Sequence, residues 1–167
     1  MKVEMFKQEF ERLHKTLAEV LKTVPEERLY SKPFNSPNFL KILSIGELII
    51  HAAQIQEYLF NGLSANYWDH PHEWSSRESI PEKEKILLYL DEVEQMRTRT
   101  FTWMKDEDIN KKVYLPDRTA VTIGDLFVRA LIHMSHHRGQ VYAYIHLFSD
   151  AHLPPISEEG VDYKRLI

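Results

Sequence analysis

The chain has 167 residues, 43% of them hydrophobic and 28% charged, and its net charge of −4 with scattered basic residues argues against nucleic acid as a partner. It contains no cysteine, which excludes disulfides, thiolate nucleophiles and thiolate metal ligands. The charged N-terminal residues are unlike a signal peptide, and no apolar run approaches the ~18 residues of a membrane span, so we expect one cytoplasmic domain over residues 1–167.

Two segments in the first half of the chain have the apolar period of an amphipathic helix. The first helix is expected to end at Pro25. Its apolar positions are Phe6, Phe10, Leu13, Leu17, Leu21 and Val24. The second helix begins with Ser44, and Glu47 three residues later completes a capping box, in which each side chain bonds to the backbone N–H of the other residue. Gly62 is expected to mark the end of this second helix.

The third helix is predicted to start near Pro81, which suits a first helical turn, and to run to about Met104. The segment KKVYLPDRTAVT then places two short β-prone runs around a turn, which predicts a hairpin. The fourth helix begins at Thr122, with Asp125 as a second capping box, and extends to Phe148. These elements predict an all-α fold: an up-down-down-up type four-helix bundle with a short β-hairpin before the last helix.

The connection between the second and third helices, residues 64–80, is long and rich in aromatic and histidine side chains. These are Tyr67, Trp68, His70, His72 and Trp74. Long connections in compact domains are often functional, so the segment is a candidate lid over a site. Packing of the loop on the bundle, or a dimer contact, is the alternative that we favour.

Three histidines lie within five residues of the fourth helix, in the sequence LIHMSHHRGQV. With about 100° of rotation per residue, His137 lies about 40° and His133 about 80° from the centre of the apolar stripe, while His136 lies about 140° away. His133 and His137 are therefore expected along one inward edge, and His136 faces solvent or a partner subunit. A buried imidazole needs hydrogen-bond partners or a metal, and a pair four residues apart is one way for a helix to supply two ligands. From the residues alone, a metal site, hydrogen-bonded core histidines and polar surface all remain open.

The second helix contains one histidine, His51, about 100° from the centre of its apolar stripe. This shoulder position is compatible with a third ligand at the edge of the bundle, open on one side to a substrate. A single helical histidine is nevertheless more often a plain surface or boundary residue, so the position of His51 does not by itself identify a ligand.

The motif HMSHHRGQV, together with a helix that opens SIGELIIH, resembles the DinB/YfiT-like superfamily of metal-binding four-helix bundles. The resemblance covers most of the chain, from the first helix to the LPP after the fourth. It implies that His51, His133 and His137 are the ligands of a divalent transition metal (zinc, nickel or iron), and it gives His136 no metal role. Family members include thiol-dependent transferases and isomerases that act with mycothiol or bacillithiol, and proteins described as metal-dependent hydrolases. Homodimers are common among them, so a homodimer is expected here.

Three neutral imidazoles with an open coordination position are typical of a catalytic metal site, because a structural zinc site uses four protein ligands. We therefore expect a metal-dependent hydrolase or thiol transferase that activates water or a low-molecular-weight thiol for attack on a small molecule. The alternative is a non-catalytic, stress-related metal-binding bundle. No catalytic side chain beyond the ligands is identified, and no organic cofactor is expected.

Several other polar side chains are weaker candidates. Gln140, one turn after His137, is a candidate to hydrogen-bond within the site or across helices. Glu47, one turn before His51, is a candidate to orient that ring, although its capping role already explains it. Arg138 is expected to pair with an acidic residue elsewhere. The histidines that we expect at the surface are His14, His146 and His152.

Overall fold

The structure, a computed structural model, describes residues 2–33, 42–65, 68, 80–149 and 153–154. Its helices are α1 (Lys2–Thr23), α2 (Ile45–Ala65), α3 (Lys83–Trp103) and α4 (Ile123–His146), with short 3-10 turns at Glu26–Arg28 and Asp108–Asn110. The two strands of an antiparallel hairpin, β1 (Lys112–Tyr114) and β2 (Ala120–Thr122), lie between α3 and α4. The predicted all-α fold with a hairpin before the last helix is therefore confirmed. None of the helices in these ranges has the length and apolar character that crossing a membrane requires.

Contacts of Phe10 and His14, one turn apart on α1, give the helix directions. The Phe10 ring packs against Phe60 late in α2 and Phe101 late in α3, with centroids 5.2 and 6.2 Å away. His14 instead contacts residues earlier in both helices, so α2 and α3 run antiparallel to α1. Phe127, early in α4, also packs on Phe10 at 5.5 Å, and the segments that follow α1 and α4 contact each other, so α4 runs parallel to α1. The order is up-down-down-up, as predicted.

Both predicted capping boxes are present at the starts of α2 and α4. The Ser44 backbone N–H donates to Glu47 Oε2 at 2.7 Å, and the Glu47 N–H donates to Ser44 Oγ at 3.3 Å. Thr122 and Asp125 exchange the same pair of bonds at 3.3 and 3.1 Å. Each box gives partners to backbone donors that the helix itself cannot satisfy. The boxes thereby fix where these two helices begin, and with that the rotational position of the histidines they carry.

Three helix boundaries differ from the prediction. Gly62 does not end α2, which continues to Ala65. The reason for a glycine there is a close approach: a Cβ at Gly62 would lie 2.4 Å from the ring of Trp68, which is buried against this face of α2. The other differences are of two residues, since α3 begins two residues after Pro81 and α4 ends two residues before Phe148. Shifts of that size are ordinary at helix ends.

The prediction that His14 lies at the surface is wrong. The side chain is 3% exposed and lies among α1, α2 and α3, with Nδ1 3.1 Å from the Gln56 amide nitrogen. Gln56 Oε1 in turn accepts from Arg97 Nη1 at 3.0 Å, and Arg97, 1% exposed, lies 3.4 Å from a Glu94 carboxylate oxygen. Burial, and then the charge of Arg97, lower the pKa of His14 to about 3. His14 is therefore a neutral core residue whose hydrogen bonds connect three helices.

Of the remaining surface and loop predictions, two concern described residues and the others do not. His146 is exposed, as predicted, and Trp68 is buried, with its backbone carbonyl accepting a hydrogen bond from Tyr58 Oη at 2.9 Å. This contact supports packing for Trp68 rather than a free loop. The predictions for Tyr67, His70, His72, Trp74 and His152 fall outside the described residues.

Replacing Gly62 with alanine is expected to lower the free energy of unfolding by about 1 kcal/mol, since overpacking against Trp68 costs about 1–3 kcal/mol and helix propensity returns part of it. Gly139→Ala in α4 is the matched control, because, apart from its chain neighbours and the nearby backbone of its own helix, no atom of the described residues lies within 4 Å of its added Cβ. That variant should gain roughly 0.5–1 kcal/mol. Urea unfolding of both variants measures the difference, and an equal gain at both positions would contradict the packing of Trp68 on α2.

Acid should destabilise the protein through His14. Its pKa is 6.5 in the unfolded chain and about 3 in the folded one, so on acidification the unfolded state takes up the proton first. Stability is therefore retained above about pH 6.5 and falls below it by up to about 1.4 kcal/mol per pH unit. In metal-free protein, the unfolding free energy of His14→Gln should fall less steeply than that of wild type between about pH 6.5 and about pH 4.5. His146→Gln, which replaces an exposed ring, should leave the slope of unfolding free energy against pH unchanged. Equal slopes for wild type and His14→Gln would contradict the assignment of His14 as a buried, neutral residue.

Candidate metal centre

Histidines from two helices meet at one edge of the bundle. His51 in α2 has its ring centroid 5.2 Å from that of His133 and 4.9 Å from that of His137, and the two α4 rings are 4.7 Å apart. Each ring offers one nitrogen, and these three nitrogens all lie within 4.8 Å of one another. Ligand nitrogens around one tetrahedral zinc ion are about 3.3 Å apart, given Zn–N bonds of about 2.0–2.1 Å. The cluster could hold one metal ion if rotation of the side chains brought the three nitrogens closer together.

The exposure of the three rings is graded. His137 is 7% exposed, His51 is half-buried and His133 is exposed. The helical wheel therefore placed His137 and His51 correctly, whereas His133 is more exposed than its predicted inward edge implied. His136 is exposed and is not part of the cluster, as predicted, although its ring lies 5.2 Å from that of His137. The site has a closed inner side at His137 and an open outer side at His133.

A hydrogen bond fixes the orientation of His137. Its Nδ1 lies 2.7 Å from Gln140 Oε1, and because an amide oxygen only accepts, Nδ1 carries the proton. The lone pair of this neutral ring is then on Nε2. That nitrogen is buried and has no hydrogen-bond partner in the part of the chain that the structure describes. Buried polar atoms are rarely left in this state, and a second nitrogen held by a side-chain oxygen is the usual arrangement of a metal-binding histidine.

The surroundings of His133 and His137 favour the neutral form of both rings. The pKa of His137 is lowered to about 4, chiefly by burial and to a smaller extent by the nearby rings of His51, His133 and His136, and only the hydrogen bond to Gln140 opposes the shift. Burial, followed by the charges of His51 and His136, also lowers the pKa of His133. Near neutral pH both rings therefore have a lone pair available, which a metal ligand requires.

The structure shows the surroundings of the other polar candidates near the site. Gln140 hydrogen-bonds within the site, which is one of its two predicted roles. Glu47 is held by its capping box, in which Ser44 Oγ also bonds to it at 2.7 Å; a further role in orienting His51 stays a prediction. Arg138 is buried, near Tyr142, and its predicted acidic partner likewise stays a prediction.

A cavity of 220 Å³ lies beside the histidines; of the residues that form it, the sequence had indicated His51, His133 and, in the candidate lid, Trp68, but not the others. His51 and His133 belong to its wall, together with side chains one turn away on the same helices. Arg129 precedes His133 by four residues, and Gln54 follows His51 by three. Residues three or four positions from a ligand share its helix face, so this spacing could have identified them.

Comparison with known proteins relates the whole arrangement to one family. A sequence model of the DinB superfamily matches residues 9–141, a span that includes all three histidines. The fold is similar to the crystal structure of a DinB-like protein, YjoA, from Bacillus subtilis, with a TM-score of 0.72 over 93% of this chain and 99% of that one. The two sequences are 15% identical, so this likeness shows a common fold alone. Curated protein sequences gave no match.

The hydrogen bond to Gln140 predicts the tautomer of His137. In metal-free protein at neutral pH, the ring should be neutral with its proton on Nδ1, and ¹⁵N NMR of the imidazole nitrogens measures this directly. Gln140→Leu, which removes the acceptor, should redistribute the proton between the two nitrogens. Gln140→Glu is the control that keeps an oxygen in place and should preserve the Nδ1 tautomer. A proton on Nε2 in the wild type would contradict this orientation of the ring.

Proposed function

The chain belongs to the DinB superfamily, and we propose that it is a metal-dependent enzyme in which His51, His133 and His137 bind zinc, nickel or iron. The observation that carries this proposal is the buried Nε2 of His137, on a ring that Gln140 orients and beside two further imidazoles. A metal ion would give that nitrogen the partner that the described residues do not provide. The DinB superfamily is generally metal-binding, which agrees with this assignment.

The ligand set favours catalysis over a purely structural ion. The cluster found among the described residues consists of the three histidines alone, without a carboxylate to complete it. Three imidazoles leave at least one coordination position for an exchangeable group. When bound there, the ion would act as a Lewis acid that lowers the pKa of a water molecule or a low-molecular-weight thiol.

The side chains around the cluster supply position and access. Gln140 holds His137 in one tautomer, and the buried inner side at that ring limits the approach of solvent. The outer side at His133 is open and adjoins the 220 Å³ cavity, where a small-molecule substrate would lie next to the ligands. This cavity favours a hydrolase or thiol transferase over a non-catalytic, stress-related bundle, because a metal-storage or structural site needs no substrate space.

The expected homodimer and cytoplasmic location stay predictions. The outer face of α4 offers one compatible feature for a dimer, since Val128 and Ile132 are exposed there, as is Leu147 just after the helix. Apolar side chains grouped on one exposed helix face are common where subunits meet.

Replacing any one ligand should remove metal binding. We expect His51→Ala, His133→Ala and His137→Ala each to weaken zinc or nickel binding by at least about 100-fold, since each removes one of three protein ligands and changes to outer partners alone cost about 10–100-fold. Titration calorimetry and the metal content of purified protein measure this. His136→Ala, which changes the exposed neighbour, should bind metal as the wild type does.

Activity should depend on the same residues. Hydrolysis of small esters or amides, or conjugation of a small electrophile to an added low-molecular-weight thiol, should be lost in His137→Ala and after chelation and retained in His136→Ala. Full metal occupancy in His137→Ala would refute the ligand assignment. Metal binding without any such activity would favour the non-catalytic bundle.

A further inference from the structure

The cavity beside the histidines is mostly apolar and runs between α2 and α4. The apolar side chains of its wall are Ile55, Leu59, Leu126 and Ala130. Its volume is 220 Å³, and since a cavity of about 150 Å³ accepts benzene, it accommodates a ligand of roughly ten non-hydrogen atoms. A ligand in it would bury an apolar body against these residues, with one end toward His51 and His133.

Besides the two histidines, the wall includes two side chains, Arg129 and Trp68, whose N–H groups have no hydrogen-bond partner among the described residues. Arg129 forms no ion pair or hydrogen bond with the described residues; its only resolved electrostatic effect is a minor one on Asp125, whose carboxylate is bonded to Thr122. The indole N–H of Trp68 is buried and has no partner within the described ranges. Guanidinium and indole groups can donate but cannot accept. Because the Trp68 nitrogen is fully buried, Arg129 is the accessible donor of the two, and at Arg129 the wall is complementary to a ligand that accepts hydrogen bonds.

The positive charge of the wall favours a ligand that carries a hydrogen-bond acceptor with negative charge. Among the described residues that line the cavity there is no aspartate or glutamate, so the Arg129 cation is not neutralised within the wall. A carboxylate matches a guanidinium fork with two parallel hydrogen bonds, which makes it a stronger partner than a neutral oxygen. Arg129 is exposed, so solvent reduces this advantage without removing it.

We propose that the cavity binds a small, mostly apolar carboxylic acid, with its carboxylate on Arg129 and its apolar body against Ile55 and Leu59. Arg129 lies four residues before His133, about 6 Å along the helix axis, so the carboxylate and the end of the ligand near the histidines are several bonds apart. The acid would therefore be the anchored end of the substrate, and the electrophilic group would lie at the other end. That last step rests on the proposed function, whereas the preference for an acid does not.

A matched pair of probes tests the preference: 3-phenylpropanoate, and 3-phenylpropanamide as its neutral analogue of nearly the same shape. In metal-free wild-type protein, calorimetry or ligand-observed NMR should show the acid binding about three- to tenfold more tightly than the amide. Added salt should weaken the binding of the acid and leave the binding of the amide unchanged. In Arg129→Gln the two probes should bind within about twofold of each other, and Arg129→Lys, which keeps the charge, should retain part of the preference.

Arg99→Gln is the control variant, since Arg99 is an exposed arginine of α3 that does not line the cavity; it should keep the full preference. Equal binding of acid and amide by wild type would overturn the proposal. So would a preference that survives Arg129→Gln in the metal-free protein, because a group other than Arg129 would then hold the carboxylate. Since the measurement uses metal-free protein, it is independent of the metal titrations: failure of the wild type to bind metal there would refute the proposed function and leave this result intact.

Discussion

The packing of α2 against α4 is the constraint on which the site depends. His51 and the pair His133 and His137 are more than 80 residues apart in sequence, and they meet only because these two helices run antiparallel with their histidines at the same height. The aromatic contact between Phe60 and Phe127, with centroids 6.1 Å apart, fixes that relative height from within the core. A shift of one helical turn, about 5.4 Å, would separate His51 from both partners. The same apolar contacts that stabilise the bundle therefore set the distances within the candidate metal centre.

Two buried histidines show what distinguishes a core imidazole from a ligand. Burial lowers the pKa of both His14 and His137, so the direction of the shift does not separate them. Their hydrogen bonds do. His14 contacts Gln56 through Nδ1 and has a backbone hydrogen bond with Leu90, so its ring is accommodated within the core. His137 has one nitrogen bonded to Gln140 and the other buried without a partner among the described residues. Burying that nitrogen without a partner costs free energy, and the cost is removed only when a metal ion or a hydrogen-bond donor binds its lone pair.

Periodicity and capping residues predicted most of the fold, because apolar spacing and end signals are local properties of the chain. They also placed His137 inward and His136 outward on α4. The failures concern contacts between distant segments. His14 follows Phe10 by four residues, so its apolar stripe could have indicated burial, but its partner Gln56 comes from another helix. The reason for Gly62 is the ring of Trp68, and no local signal announces that approach.

The cavity illustrates how a local charge distribution can differ from that of the whole chain. With a net charge of −4, the protein as a whole does not attract anions at long range. Within the wall beside His51 and His133, however, the described residues include a cation and no carboxylate. A metal ion held by the neighbouring imidazoles would add positive charge at the other end of the same cavity. Binding of an anion would then be decided at short range, after entry, by the hydrogen bonds and low dielectric of the apolar wall rather than by steering from solution.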